Sequence, residues 1–128
     1  MNYSYTKKLE MSFDEALDEV RIWFAEKWFW IVSNINVSEK IQNKVDSDFK
    51  EYTVLWFCNP KLAYKFLSYN KDLGVFLPCS IAIYEQEDWI YVSAWLPDGM
   101  FPTVINDKDL NQLSKEITDT IKEIIDSI

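Results

Sequence analysis

The side chains best suited to chemistry in this sequence are two cysteines. Cys58 stands immediately before Asn59 and Pro60, and Cys79 follows Pro78. A thiol placed just before a helix is stabilised as a thiolate by the helix dipole and by the N–H groups of the first turn, which lowers its pKa and raises its reactivity. The sequence therefore offers a candidate ligand or thiol site made of Cys58, Asn59, Pro60, Pro78 and Cys79.

Each of these residues also has a structural interpretation, which is the one we favour. Cysteine is among the residue types most often buried, so Cys58 and Cys79 are consistent with small core residues at strand ends. Asn59 is a good N-cap, and Pro60 suits the first helical position because proline lacks the N–H that would go unpaired there. A disulfide requires Cα atoms within about 7 Å. The sequence does not establish that distance, so the pairing of the thiols stays open.

The remaining chemical inventory excludes several functions. The sequence contains no His, which removes the commonest general base and metal ligand and excludes a hydrolase of the triad type. The cysteine spacing matches neither a Cys-x-x-Cys redox motif nor a paired zinc motif. Glu85, Glu87 and Asp88 are typical of a solvated hairpin turn, and Asp107 and Asp109 of helix capping. We therefore predict no catalytic residue, no metal and no cofactor.

Length and charge limit the class of protein and its partners. A chain of 128 residues is the size of one domain, so we predict a single domain over residues 1–128. With 48% hydrophobic and 16% aromatic residues, it lies outside the disordered class. The net charge of -8 repels phosphate groups, so we expect neither nucleic acid nor an anionic membrane as a partner.

The expected cellular compartment of the protein follows from its hydropathy. The first ten residues, MNYSYTKKLE, lack the apolar core of a signal peptide, and the apolar runs are too short to cross a membrane. We expect a cytoplasmic protein with reduced thiols, because disulfides are rare in that compartment. Hyperthermophile cytosols are an exception, and the many Ile, Lys, Glu and Tyr residues without any His point faintly to such a source.

The elements around the cysteines alternate between strands and helices. A period-two pattern predicts a strand over residues 3–11, and Ser12 with Glu15 forms a capping box for a helix reaching about Lys27. Further along we predict a strand at 33–37, a short helix capped by Ser38 and a polar loop at 46–50. A strand apolar on both faces at 52–58 is followed by a helix from 60 that ends between 70 and 74, and by an extended segment from Val75. A hairpin over 79–96, a loop at 97–105 and a last helix capped by Asn106 or Asp107 complete the chain. This order predicts an α+β fold with helices packed on one face of a mostly antiparallel, curved sheet.

The run from Cys58 to Tyr84, CNPKLAYKFLSYNKDLGVFLPCSIAIY, resembles the family named domain of unknown function 302. In that family a Cys-Asn-Pro turn opens a helix at a Leu-Ala pair, and a Gly-hydrophobic-Leu-Pro-Cys run leads into a strand ending in Tyr-Glu. The resemblance extends from about Ser12 to the C-terminus. It implies a homodimer, no established activity, and a fold of the group that includes the TATA-binding protein, a likeness of architecture that lends no support to DNA binding. Where the family usually has a glycine at the first helix exit, this chain has Lys27 and Trp28.

The aromatic content favours a binding function. Six Trp, seven Tyr and eight Phe exceed what a small core ordinarily needs, so some must reach the surface. There they either line an apolar pocket or a dimer interface, or are scattered exposed rings around a bulky core. Our leading hypothesis is a non-enzymatic homodimer that holds a small apolar or aromatic ligand between helix and sheet. Two alternatives remain: a sulfur-carrier or redox protein that uses Cys58 or Cys79, and a structural subunit of a larger complex.

Overall fold

The computed structural model describes residues 2–77 and 79–128, so Pro78, one of the predicted site residues, lies outside the described residues. The described chain runs in the order β1 (Ser4–Leu9), α1 (Phe13–Glu26), β2 (Trp30–Asn36), α2 (Val37–Lys44), β3 (Tyr52–Cys58), α3 (Pro60–Tyr69), β4 (Cys79–Gln86), β5 (Trp89–Trp95), α4 (Phe101–Val104) and α5 (Lys108–Ser127), with short 3₁₀ segments at Lys71–Phe76 and Pro97–Gly99.

The five strands form one antiparallel sheet in the order β1-β5-β4-β3-β2. A two-residue turn joins β4 to β5, and its residues Glu87 and Asp88 have φ angles of 52° and 66°. Two positive φ angles in succession are what a type I′ hairpin turn requires, because its twist matches that of the strands. The predicted α+β class and the antiparallel sheet are confirmed.

The hydrophobic core lies between one face of this sheet and the helices, and we call this the helix face. Alternate residues of β3, β4 and β5 are buried on it, as the pleat of a strand dictates. The core comprises Ala16, Val20 and Phe24 of α1, the strand residues Leu55, Phe57, Ile81, Ile83, Val92 and Ala94, and Leu110, Leu113, Ile117, Ile121, Ile124 and Ile125 of α5. Within residues 2–77 and 79–128, no helix has both the length and the apolar character that crossing a bilayer requires.

The helix starts follow the capping chemistry of the sequence. Ser12 accepts a hydrogen bond at its Oγ from the Glu15 N–H, over 3.1 Å, as the capping box predicts. Of the two candidates for the last helix, Asp107 is the N-cap, and its Oδ1 accepts from the N–H groups of Asp109 and Leu110 at 3.0 Å each. Local side-chain chemistry therefore fixes where α1 and α5 begin.

The predicted cap of the short helix is wrong. Asn36, not Ser38, caps α2, and its Oδ1 accepts from the Glu39 N–H at 3.0 Å. Ser38 is buried inside the helix and donates its hydroxyl to the same Asn36 oxygen at 2.6 Å. Either side chain could cap a helix. Asn36 becomes the cap because β2 stays paired with β3 as far as Asn36, so the helix begins directly after that residue.

Strand β2 also begins earlier than predicted, at Trp30 instead of Ser33. Trp30 lies opposite Cys58, so β3 supplies backbone partners along the whole segment. The register shifts between Ile31 and Ser33, which marks a β-bulge. A bulge breaks the alternation of side chains, which explains why the period-two pattern was not recognisable before Ser33.

The segments on either side of the hairpin are more helical than predicted. The extended run predicted from Val75 is wrong, because Lys71–Phe76 is a 3₁₀ helix capped by Asn70, whose Oδ1 accepts from the Asp72 N–H at 2.8 Å. The predicted loop at 97–105 contains a 3₁₀ turn and helix α4, which buries Phe101. Burial of that ring gives the segment a fixed place against the core.

A substitution at Gly99 tests how closely the N-terminal backbone approaches the turn after β5. A Cβ at Gly99 would lie 2.8 Å from the Asn2 carbonyl carbon and 2.9 Å from the Tyr3 Cα, both backbone atoms. We expect Gly99→Ala to lower the free energy of unfolding by about 2 kcal/mol, measured by urea denaturation, because overpacked backbone must shift. Gly74→Ala is the control, since its Cβ would meet only Leu67 Cδ2 at 3.8 Å. Equal stabilities of the two variants would contradict the close approach.

Candidate functional site

The sheet face opposite the helices, which we call the open face, carries many large apolar side chains that remain partly exposed. Residues paired across the strands share a face, so the register assigns its members. They are Ser4, Thr6 and Lys8 of β1, Tyr91, Ser93 and Trp95 of β5, Ser80, Ala82 and Tyr84 of β4, Tyr52, Val54 and Trp56 of β3, and Ser33 and Ile35 of β2. An antiparallel sheet covered on one side usually presents polar residues on the other. This sheet departs from that pattern, because tyrosine and tryptophan side chains lie on its uncovered face.

Three tyrosines form a ladder across the open face. Tyr84 stacks on Tyr52 with ring centroids 5.4 Å apart and on Tyr91 with centroids 5.5 Å apart, at interplanar angles of 13° and 18°. Burial and the two neighbouring phenols raise the pKa of Tyr84 above its usual value, so its hydroxyl stays protonated and neutral around pH 7. The ladder gives the middle of the sheet a continuous aromatic surface.

One groove, which we call the hairpin groove, lies beside this ladder and extends from the β4–β5 turn to the start of β1. It encloses about 790 Å³, a volume in the range of small-molecule sites. Aromatic rings, small side chains and charged groups line it together: Tyr3, Ser4, Thr6, Asp46, Asp48, Phe49, Lys50, Glu51, Tyr52, Ala82, Tyr84, Glu85, Gln86, Glu87 and Ser93. The hairpin groove therefore joins an aromatic wall to an acidic rim.

A second groove, the tryptophan groove, lies toward the opposite end of the open face and encloses about 590 Å³. Its lining consists of Trp56, Val75, Phe76, Leu77, Ser80 and Trp95. None of these residues is charged, and Ser80 lies between the two indoles on the central strand β4. This lining suits an apolar or aromatic molecule.

The predicted cysteine site is assembled in part. Cys58, Asn59 and Cys79 line one cavity on the helix face, of about 30 Å³, with Phe29 and other apolar residues. That is the space of about one water molecule, so it does not accommodate the ligand predicted between helix and sheet. Pro60 is exposed and outside this lining.

Cys79 differs from the reactive thiolate that the sequence suggested. Both cysteines are free, and Cys79 packs against the core. Burial, and secondarily the neighbouring Cys58, raises the pKa of Cys79 to about 12. A raised pKa lowers the thiolate fraction and with it the nucleophilicity at neutral pH. For Cys79 the geometry favours the core interpretation.

Asn59 connects two helices. Its Oδ1 accepts from the N–H groups of Lys61 and Leu62 at 3.1 and 3.3 Å, and its Nδ2 donates to the Lys27 carbonyl at 3.2 Å. At this exit of α1, Trp28 has a φ of 69° where the family usually has glycine, and the Lys61 ammonium lies 3.9 Å from the Trp28 ring centroid. The predicted helix start at Asn59 and Pro60 is confirmed, and these contacts give Asn59 a structural role.

The aromatic residues of the open face were not among the predicted site residues. The sequence signal that could have identified them lies in β3. Its sequence is apolar on both faces, although only its alternate residues face the helices. Of the acidic rim, the sequence predicts Glu85 and Glu87 in a solvated turn and Asp46 and Asp48 in a polar loop. Among residues 2–77 and 79–128, no three Cys, Asp or Glu side chains come together as metal ligands would.

Comparison with known proteins agrees with the fold and names no activity. The sequence profile of the family described as Domain of unknown function DUF302 matches residues 5–128. The crystal structure of an uncharacterized conserved protein DUF302 from Bacillus stearothermophilus superposes with a TM-score of 0.91, covering 98% of each chain at 22% sequence identity. No curated protein matches the sequence. At this identity the structural likeness establishes the fold alone.

Alkylation kinetics test the burial of Cys79. Raising the thiol pKa from 9.0 to about 12 lowers the thiolate fraction at pH 8 about a thousandfold. In Cys58→Ser, which leaves Cys79 as the remaining thiol, we expect iodoacetamide to react at least about a hundredfold more slowly with native than with denatured protein. Cys79→Ser reports Cys58 in the same assay. Rapid alkylation of native Cys79 at pH 8 would contradict its assignment as a core residue and favour the thiol function.

Proposed function

The chain belongs to the family of domain of unknown function DUF302, and from the geometry of its open face we propose that it is a homodimeric binding protein for a small apolar or aromatic ligand. The ligand site lies on the open face of the sheet. In this proposal the protein holds its ligand without transforming it, which agrees with a sequence that has no His.

The observation that carries the proposal is the contrast between the two faces of the sheet. The helix face is filled by the core and leaves about 30 Å³ beside the cysteines. The open face offers grooves of about 790 and 590 Å³ beside half-buried tyrosines and tryptophans. Ligand sites are concave and mostly apolar with a few polar groups. The tryptophan groove of the open face has that character, whereas the cavity beside the cysteines is too small for such a ligand.

A second copy on the open face would complete the site. Ligand pockets usually bury about 70–90% of a small ligand, whereas a groove on an uncovered sheet contacts it from one side. Two sheets packed face to face lie about 10 Å apart, enough to hold a planar ligand within the grooves. Pairing of two open faces would also remove the exposed apolar surface around Val54, at the centre of the sheet, from water.

The two alternative functions have less support. A sulfur-carrier or redox role requires an accessible thiolate, and the raised pKa of Cys79 opposes that role for this thiol. A structural subunit of a larger complex would use the same apolar face, but it would not need grooves of ligand size. We therefore favour the binding function.

Filling the tryptophan groove tests ligand binding. Ser80→Phe places a ring between Trp56 and Trp95. With a neutral planar probe such as 1-naphthalenemethanol in isothermal titration calorimetry, we expect this variant to bind at least about tenfold more weakly than the wild type, a loss of about 1.4 kcal/mol. Ser127→Phe, on the exposed end of α5, is the matched control. Absence of probe binding to the wild type, or unchanged affinity in Ser80→Phe, would contradict the tryptophan groove as the site.

A charge at the centre of the open face tests the homodimer. Val54 lies on β3 between Ala82 and Ile35 of the neighbouring strands. We expect the wild type to have the mass of a dimer by light scattering, and Val54→Lys that of a monomer, because an unpaired ammonium is costly at an apolar interface. Circular dichroism checks that the fold is retained. Val45→Lys is the control, since Val45 is 83% exposed in the loop after α2. A wild-type monomer, or a dimer that persists in Val54→Lys, would contradict a dimer through this face.

A further inference from the structure

The rim of the hairpin groove carries an excess of negative charge. Five carboxylates and one ammonium line the groove, those of Asp46, Asp48, Glu51, Glu85, Glu87 and Lys50. Among the residues that the structure describes, none in the lining of the tryptophan groove is charged. The two ends of the open face therefore offer a ligand different electrostatic environments.

These carboxylates are not neutralised by partners within the protein. In the part of the chain that the structure describes, none of the five forms an ion pair. Asp46 accepts a hydrogen bond from the Asp48 N–H at 3.0 Å, which leaves its charge in place. The Glu85 N–H donates to the Glu51 carbonyl at 2.9 Å, so these two residues, from adjoining segments, are held side by side on the rim.

The arrangement does not suit a metal ion. Among the described residues the carboxylates do not gather into a group of three that one cation could contact. They are distributed around a groove whose wall is aromatic, formed by Phe49, Tyr52 and Tyr84, with the rings of Phe49 and Tyr52 6.4 Å apart. Dispersed negative charge beside apolar surface matches a ligand whose positive charge is carried on an organic body.

The neighbouring phenols add hydrogen-bonding groups to this wall. Within residues 2–77 and 79–128, the hydroxyls of Tyr52 and Tyr84 have no side-chain or backbone partner. A phenol oxygen can accept a hydrogen bond from a cationic N–H group. The wall thus offers both an apolar surface and acceptors to the N–H group of a protonated amine or of a protonated ring nitrogen.

We propose that the hairpin groove binds an organic cation with a planar aromatic body, held by the acidic rim and by the tyrosine wall. The inference rests on the proposed binding function and names the ligand class of one of its two grooves. The tryptophan groove then accepts the neutral part of a larger ligand or a separate apolar molecule. In the hairpin groove, the charge of a ligand determines which ligand binds more tightly.

The test compares probes of similar shape and different charge on the wild-type protein. N-methylquinolinium is the cation, 1-naphthalenemethanol the neutral probe and naphthalene-1-sulfonate the anion. Affinities are measured by isothermal titration calorimetry at about 20 mM and about 300 mM salt, because screening by salt weakens the attraction between exposed charges. Amide chemical shifts from NMR spectroscopy locate each probe on the protein.

We expect the cation to bind at least about tenfold more tightly than the neutral probe at low salt. Its shifts should centre on Glu51, Tyr52 and Glu85, and the preference should shrink at high salt. The double variant Glu51→Gln with Glu85→Gln, which keeps the side-chain shapes, should reduce the preference about fivefold. The control pair Glu26→Gln with Glu123→Gln removes the same charge from exposed positions on α1 and α5, and it should leave the preference unchanged.

The outcomes separate this inference from the function on which it rests. Equal affinity for cation and neutral probe, or a preference that both double variants reduce alike, overturns the charge selection of the hairpin groove. Binding of the neutral probe in the tryptophan groove would leave the binding function standing in that case. If no probe binds anywhere on the open face, both proposals fail. If a variant does not fold, the salt dependence of the wild-type preference for the cation still tests the charge selection.

Discussion

The packing of α1 and α5 against one face of the sheet is the constraint on which the rest of this structure depends. The helices bury alternate residues of β3, β4 and β5, such as Leu55, Ile83 and Val92, almost completely. Burial of apolar surface is the main favourable term in folding. Because one layer of helices covers one face, the second face keeps its aromatic side chains partly exposed. The features we interpret as functional lie on that face.

The same packing limits the chemistry of Cys79. Cys79 lies on the strand whose buried side contacts the helices, and burial disfavours its charged form. Cys58 ends the neighbouring strand, and the helix start after it is occupied by Asn59, whose side chain satisfies the first N–H groups of α3. The position that suggested an activated thiol is therefore well explained as a junction between strand and helix. The Asn-Pro pair of the motif that carries the family resemblance is accounted for by the start of helix α3.

Charge and aromatic surface are combined in the hairpin groove, and one of its carboxylates, that of Glu87, comes from the two-residue turn. Glu87 and Asp88 adopt positive φ angles, which glycine or asparagine would accommodate with less strain. Acidic residues stand there instead, next to the groove that Tyr84 lines. Strained residues in turns often mark functional sites.

The sequence by itself determined the elements whose signals are local. Ser12, Asn59 and Asp107 cap their helices through side chains that reach two or three residues along the chain, and the stripe of α5 is set by its own periodicity. Only the tertiary structure decided where β2 ends, which made Asn36 and not Ser38 the cap of α2. It also aligned the open-face tyrosines, which come from three strands. The physical reason is that strand register depends on pairing between segments distant in sequence, and a pattern within one segment does not specify which residues of another will lie beside it.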